Sequence, residues 1–126
     1  NINKNAKDNY EAELDKLITN YIILLKDYEK KYNITPIVLC IYPNPLKISN
    51  DINGSNDERT QYIKYANIQL LNKCEEYNLN FFDIYDMIST EYNFIKQEYT
   101  KDGIHLDYNN SYLRNTIDEK LLLLCK

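Results

Sequence analysis

The 126-residue chain has two glycines, three prolines, three cysteines and a single histidine. Gly54 and Gly103 stand far apart, so no glycine-rich phosphate loop can be built and nucleotide signals are absent. Cys40, Cys74 and Cys125 are odd in number, widely spaced and set among apolar residues. There is no Cys-x-x-Cys pair, and one histidine cannot complete a zinc site with scattered thiols. They read as reduced, buried thiols of a cytoplasmic-type compartment, and no metal or cofactor is implied. A nucleophilic cysteine paired with the histidine is the alternative. No apolar run reaches the ~18 residues of a membrane span, and no signal peptide is visible. Lys and Arg number 15 against 19 Asp and Glu, for a net charge of −4. That balance argues against nucleic acid, whose phosphates need a basic face. The first residue is Asn rather than Met, so the chain is expected to begin inside a longer protein.

What is present is an ordinary globular balance, 44% hydrophobic and 27% charged, sized for one domain with a real core. Asn, Lys, Ile and Tyr are abundant. All four have AT-rich codons, and the bias reads as genomic. Residues 1–8 read as a frayed polar lead-in, with Asp8 and Glu11 opening a helix as a capping box. Tyr10, Leu14, Leu17, Ile18, Tyr21, Ile22, Leu25 and Tyr28 then recur at three- and four-residue steps, which predicts an amphipathic helix over about 9–32. Asn33 and Pro36 end it. The apolar run Ile37–Tyr42 reads as a strand buried on both faces, stopped by Pro43-Asn44-Pro45. A polar loop follows to Asn56. Ser55 and Glu58 form a second capping box for a helix to about Tyr77, with Ile63, Ala66, Leu70, Cys74 and Tyr77 as its apolar stripe. Asn78 closes it. Leu79–Ile84 is the second predicted strand, with Asp83 and Asp86 near its end, both suited to solvation or to a cleft. Tyr85–Thr90 reads as a helical turn and residues 91–99 as a mixed loop. Asn109, Asn110 and Ser111 offer caps for a last helix whose inner face is Leu113, Ile117, Leu121 and Leu124. Alternation of helix and strand implies parallel strands with right-handed crossovers. Two strands make a poor sheet, so further strands are expected from upstream or from a partner. Bare edges and an uncovered face also invite self-association.

The stretch Tyr99–Asp107 holds the sole histidine. Gly103 can take positive φ, which lets the backbone turn between Asp102 and His105. A carboxylate folded onto one ring nitrogen fixes the tautomer and frees the other nitrogen as a general base. Ile104 and Leu106 are placed to pin the loop against a core. A lone loop histidine is, on spacing alone, more often structural or solvated.

The helix over about 9–32, the strand ending in Tyr42-Pro43-Asn44-Pro45, the helix carrying Arg59, Tyr62, Asn67 and Leu71, the strand Asn80-Phe81-Phe82-Asp83 and the late Asp102-Gly103-Ile104-His105 together resemble the carboxyl-terminal part of an SGNH (GDSL-type) hydrolase. The resemblance spans nearly the whole chain, and only the Asp-x-x-His block is a true motif. It implies an α/β fold, a flavodoxin-like three-layer α/β/α sandwich with a parallel sheet, incomplete in this chain. It implies acyl or acetyl ester hydrolysis through a Ser-His-Asp triad, with His105 as base and Asp102 as its partner, a small ester such as an acetylated carbohydrate as substrate, and no cofactor. The family's Gly-Asp-Ser block, its following glycine block and its Gly-x-Asn-Asp are absent here. The nucleophile is therefore expected upstream, in a missing amino-terminal half with which this chain would pair. Among local serines (Ser49, Ser55, Ser89, Ser111), Ser55 gives the order Ser…Asp…His, but N-capping accounts for it and the G-x-S-x-G elbow is missing. A non-catalytic binding or assembly module of the same descent is the alternative function.

Overall fold

The computed structural model describes residues 2–47 and 54–125, with side chains from Tyr10 onward. The element order is α1 (Ile2–Tyr32), β1 (Ile37–Leu39), α2 (Asn56–Tyr77), β2 (Asn80–Phe82), α3 (Tyr85–Ile88), a single 3-10 turn (Gln97–Tyr99) and α4 (Ser111–Leu124). The order expected from the sequence holds. The fold class does not: the described residues are mostly helical, with only two short parallel strands among them, and they do not form a flavodoxin-like three-layer sandwich. The reason is local. Each apolar run pairs over three residues: after the Cys40 amide donates to the Phe82 carbonyl (3.0 Å) one chain leaves to bridge Phe94 through Asn44, and α3 begins at Tyr85 on the other. A two-stranded ribbon has no breadth to carry helices on both faces. Nor is the run buried on both sides: Val38 and Cys40 are buried while Leu39 and Ile41 are exposed.

Helix α1 runs through the segment expected to fray and through the Asp8–Glu11 capping box. Residues 2–32 contain neither Gly nor Pro, and extending a nucleated helix costs little per residue. Helix ends fall at asparagines. Asn33 (φ 51°) follows α1, and Asn78 (φ 57°) follows α2, both left-handed. At Asn78 the Leu79 amide donates to the Cys74 carbonyl (2.8 Å) and the Asn78 amide to that of Glu75 (3.4 Å). This is a Schellman ending, in which two otherwise orphaned carbonyls are satisfied. At the other end the Ser55 capping box forms as expected: Ser55 Oγ accepts from the Glu58 amide (3.1 Å) and Glu58 Oε1 from the Ser55 amide (3.3 Å).

Contacts divide the chain into two compact units, residues 1–38 with 65–81 and residues 39–64 with 82–126. The first unit buries Leu14, Ile18 and Ile22 of α1 against Ala66, Leu70 and Cys74 of α2, with Val38 and Leu79. Burying each large side chain contributes about 1.5–3 kcal/mol. At its rim Tyr65 donates to the Asp15 carboxylate, 2.9 Å from each oxygen. Burial and that carboxylate push the phenol up to about 12. In the second unit Leu113 and Ile117 of α4 are buried with Ile84, Ile88 and Ile95. Helix α4 is capped by Asn110, whose side chain accepts from the Leu113 amide (3.0 Å) and donates to the Glu98 carbonyl (3.0 Å). The segment 91–99 is not a plain loop: Phe94 bridges to Asn44 in parallel and Ile95 to Ser89 in antiparallel sense.

Candidate functional site

The Asp102–His105 turn is clamped at both ends. Tyr99 before it and Leu106 after it are buried, and the Asp107 amide donates to the Tyr99 carbonyl (2.8 Å), closing the loop. Leu106 anchors the loop as expected, whereas Ile104 is exposed and does not. Gly103 sits at φ +81°, left-handed, so the chain reverses there.

Asp102 is the organising group. Its Oδ1 accepts from the backbone amides of Ile104 and His105, both at 2.8 Å, and from Thr100 Oγ1 at 3.3 Å. Its Oδ2 lies 2.7 Å from His105 Nδ1. The His105 ring and then the two amides hold the Asp102 carboxyl well below the usual carboxylate range. An ionised Oδ2 can only accept, so Nδ1 carries the hydrogen, and in the neutral ring the lone pair is on Nε2. The imidazole is 79% exposed and the Asp102 side chain 52%, so Nε2 is open to solvent or to an incoming group. The arrangement delivers an oriented proton acceptor, and the expected juxtaposition of Asp102 and His105 is present.

Two supports were not visible in the sequence. Thr100 Oγ1 accepts from the Gly103 amide (3.0 Å) while donating to Asp102, so one hydroxyl ties both sides of the turn. The Gly103 carbonyl accepts from the amides of Leu46 (2.7 Å) and Lys47 (3.1 Å), which lashes the turn to the loop after β1. The only local hint was Thr100 standing three residues ahead of Gly103, a spacing that suits a hydroxyl-closed turn. That same loop after β1 holds Asn44, the one buried polar residue among the described residues. Asn44 Nδ2 donates to Thr60 Oγ1 (2.7 Å) and to the Asn93 carbonyl (3.1 Å), while its backbone accepts from the Ile95 amide (2.9 Å). It staples three chain segments and was legible only as a residue between two prolines.

The other candidates are placed elsewhere. The Ser55 hydroxyl is engaged as the N-cap of α2, and Ser89 Oγ donates to the Thr90 carbonyl (2.8 Å). Ser111 is the first residue of α4, and Ser49 lies outside the described residues. Burial pushes the Cys40 and Cys74 thiols up to about 11 each, against the thiolate that nucleophilic attack requires. Asp83 is exposed and accepts from the Tyr85 amide (3.0 Å), a turn role, and Asp86 is exposed on α3. No group of His, Cys, Asp and Glu able to hold a metal ion occurs among the described residues. No known family pattern matches this chain, and no curated protein matches it.

Proposed function

We propose that Asp102 and His105 form the base half of a serine ester hydrolase of the SGNH kind, with the nucleophile supplied from outside these 126 residues. The observation that carries the reading is the 2.7 Å contact between Asp102 Oδ2 and His105 Nδ1, with Oδ1 held by two amides. In the reaction, Nε2 takes the serine proton as its oxygen attacks the ester carbonyl. The same proton passes to the departing alcohol, leaving an acyl-enzyme. Water, deprotonated by Nε2, then releases the acid and restores the serine. Asp102 supports the charged imidazole and keeps the ring aligned. No step calls for a metal or cofactor. The proposed substrate is a small ester, with an acetylated carbohydrate as the first class to test. The proposed setting is the cytoplasm. The described cysteines are free, which supports a reducing compartment. No helix among the described residues is long and apolar enough to cross a membrane.

A fluorophosphonate probe tests the reading. It should label a serine in a parent chain carrying an upstream Gly-Asp-Ser block and leave the 126 residues unlabelled. In that parent His105→Ala should lower ester hydrolysis by at least about 10³-fold. An unaffected rate removes His105 from the mechanism. The second reading, a non-catalytic assembly module, is favoured by one observation: α1 exposes a continuous apolar stripe.

A further inference from the structure

We infer that the exposed stripe of α1 is a self-association surface, on which a second copy of this chain packs antiparallel. The inference does not depend on the hydrolase reading. The buried face of α1 is Leu14, Ile18 and Ile22. Beside it runs a second apolar row, Leu17, Tyr21, Leu24, Tyr28 and Tyr32, whose members are 41% to 65% exposed. Their first steps of four, three and four residues are the seam spacing of paired helices, not of a helix facing one core. The row extends over about 22 Å at 1.5 Å per residue. Tyr28 and Tyr32 already stack edge-on with centroids 5.6 Å apart, so part of the row is ordered before any partner arrives.

Area and charge both select the occupant. Five half-exposed Leu and Tyr residues offer about 600 Å² per copy, taking about 120 Å² each. Two copies therefore cover about 1,200 Å², the lower edge of what a specific dimer buries. In an antiparallel pair with its two-fold axis at the level of Ile22 and Ile23, Leu17 faces Tyr28 of the other copy and Tyr21 faces Leu24. Glu13 and Lys31 are eighteen residues apart, which is five full turns, so they lie on the same flank of the row near opposite ends. The antiparallel arrangement brings each Glu13 to the Lys31 of the other copy. A parallel pair leaves like charges level with each other. The surface is thus self-complementary under a two-fold, as an isologous interface requires.

Sedimentation equilibrium of the 126-residue chain under reducing conditions, from about 5 to 200 µM, tests this; the small area places dissociation in the micromolar range. Dimer is expected. Leu17→Glu with Leu24→Glu should raise the dissociation constant by at least about 10-fold, with circular dichroism unchanged because both side chains are exposed. Glu13→Lys alone should weaken the dimer about threefold or more, and Glu13→Lys with Lys31→Glu should restore it to within about twofold. A monomer throughout the range, a dimer insensitive to the Leu17/Leu24 pair, or a charge swap that fails to restore association would overturn the inference. A monomer would leave the row for a different polypeptide.

Discussion

Gly103→Ala is the sharpest single test of the turn. At φ +81° a side chain carries the left-handed penalty of about 1–2 kcal/mol. Alanine recovers roughly 0.5 kcal/mol of that through a less flexible unfolded chain. The added Cβ would also stand 2.9 Å from Lys47 Cγ and 3.5 Å from Leu46 Cβ. Lys47 is exposed and its stem can swing aside, so this contact adds a few tenths rather than a full clash. If the shift also strains the bonds from the Leu46 and Lys47 amides to the Gly103 carbonyl, about 0.5–1 kcal/mol more is lost. The expected total is about 1–3 kcal/mol. In urea, with a slope of about 1.5 kcal/mol/M, the midpoint falls by about 0.7–2 M. Gly103→Asn separates the two causes, because Asn33, Asn78 and Asn93 already hold positive φ in this chain. It should cost less than alanine, and Lys47→Ala should recover the steric part in either background. A midpoint for Gly103→Ala within about 0.2 M of the parent would refute a left-handed turn pinned against residues 46 and 47.

Asp102→Asn would present an amide donor to His105 Nδ1, and nitrogen NMR of the ring should show the hydrogen moving to Nε2; retention of the Nδ1–H form would mean Asp102 does not set the tautomer. Because folding lowers the Asp102 pKa, the folded chain binds fewer protons than the unfolded one in acid. Its stabilisation is complete above about pH 4 and is lost as pH falls below that, while the Ile104 and His105 amide signals stay fixed through the ordinary carboxylate range. Amide shifts titrating near pH 4 would contradict the carboxylate anchor. Tyr65→Phe removes the bond to Asp15 and should cost about 1–2 kcal/mol by denaturation, since the acceptor is charged. A thiol reagent at neutral pH should modify exposed Cys125 quickly, and Cys40 and Cys74 only on unfolding; rapid labelling of Cys40 would reopen it as a nucleophile.

Much of the local structure could be read from residue order. The Ser55–Glu58 box, the Asn78 stop and the Leu113/Ile117 face all follow from short-range hydrogen-bonding and periodicity. What failed was breadth. Alternating helices and strands suggest a layered sheet, but how many strands assemble is a tertiary matter, and here each ladder is three residues long, with α3 starting at Tyr85 and Asn44 bridging elsewhere. The apolar face of α1 is wider than its core contact: Leu14, Ile18 and Ile22, with Tyr10 and Leu25 beside them, pack on the core, while Leu17, Tyr21, Leu24 and Tyr28 stay exposed. At the site, Asp102 and His105 are three residues apart and their pairing was legible. The grip of residues 46–47 on Gly103 joins segments more than fifty positions apart, and no spacing rule reaches that far.

Asparagine at three left-handed positions makes the two glycines informative. Asn33, Asn78 and Asn93 hold positive φ, between 51° and 66°, without being glycine. Gly54, at φ +90°, has only ordinary contacts around its missing side chain, so a replacement there meets backbone strain without crowding. Gly103, at φ +81°, adds to that strain the need for Lys47 to move, and its carbonyl holds the loop after β1, so of the two glycines it is the one whose replacement reaches beyond its own turn.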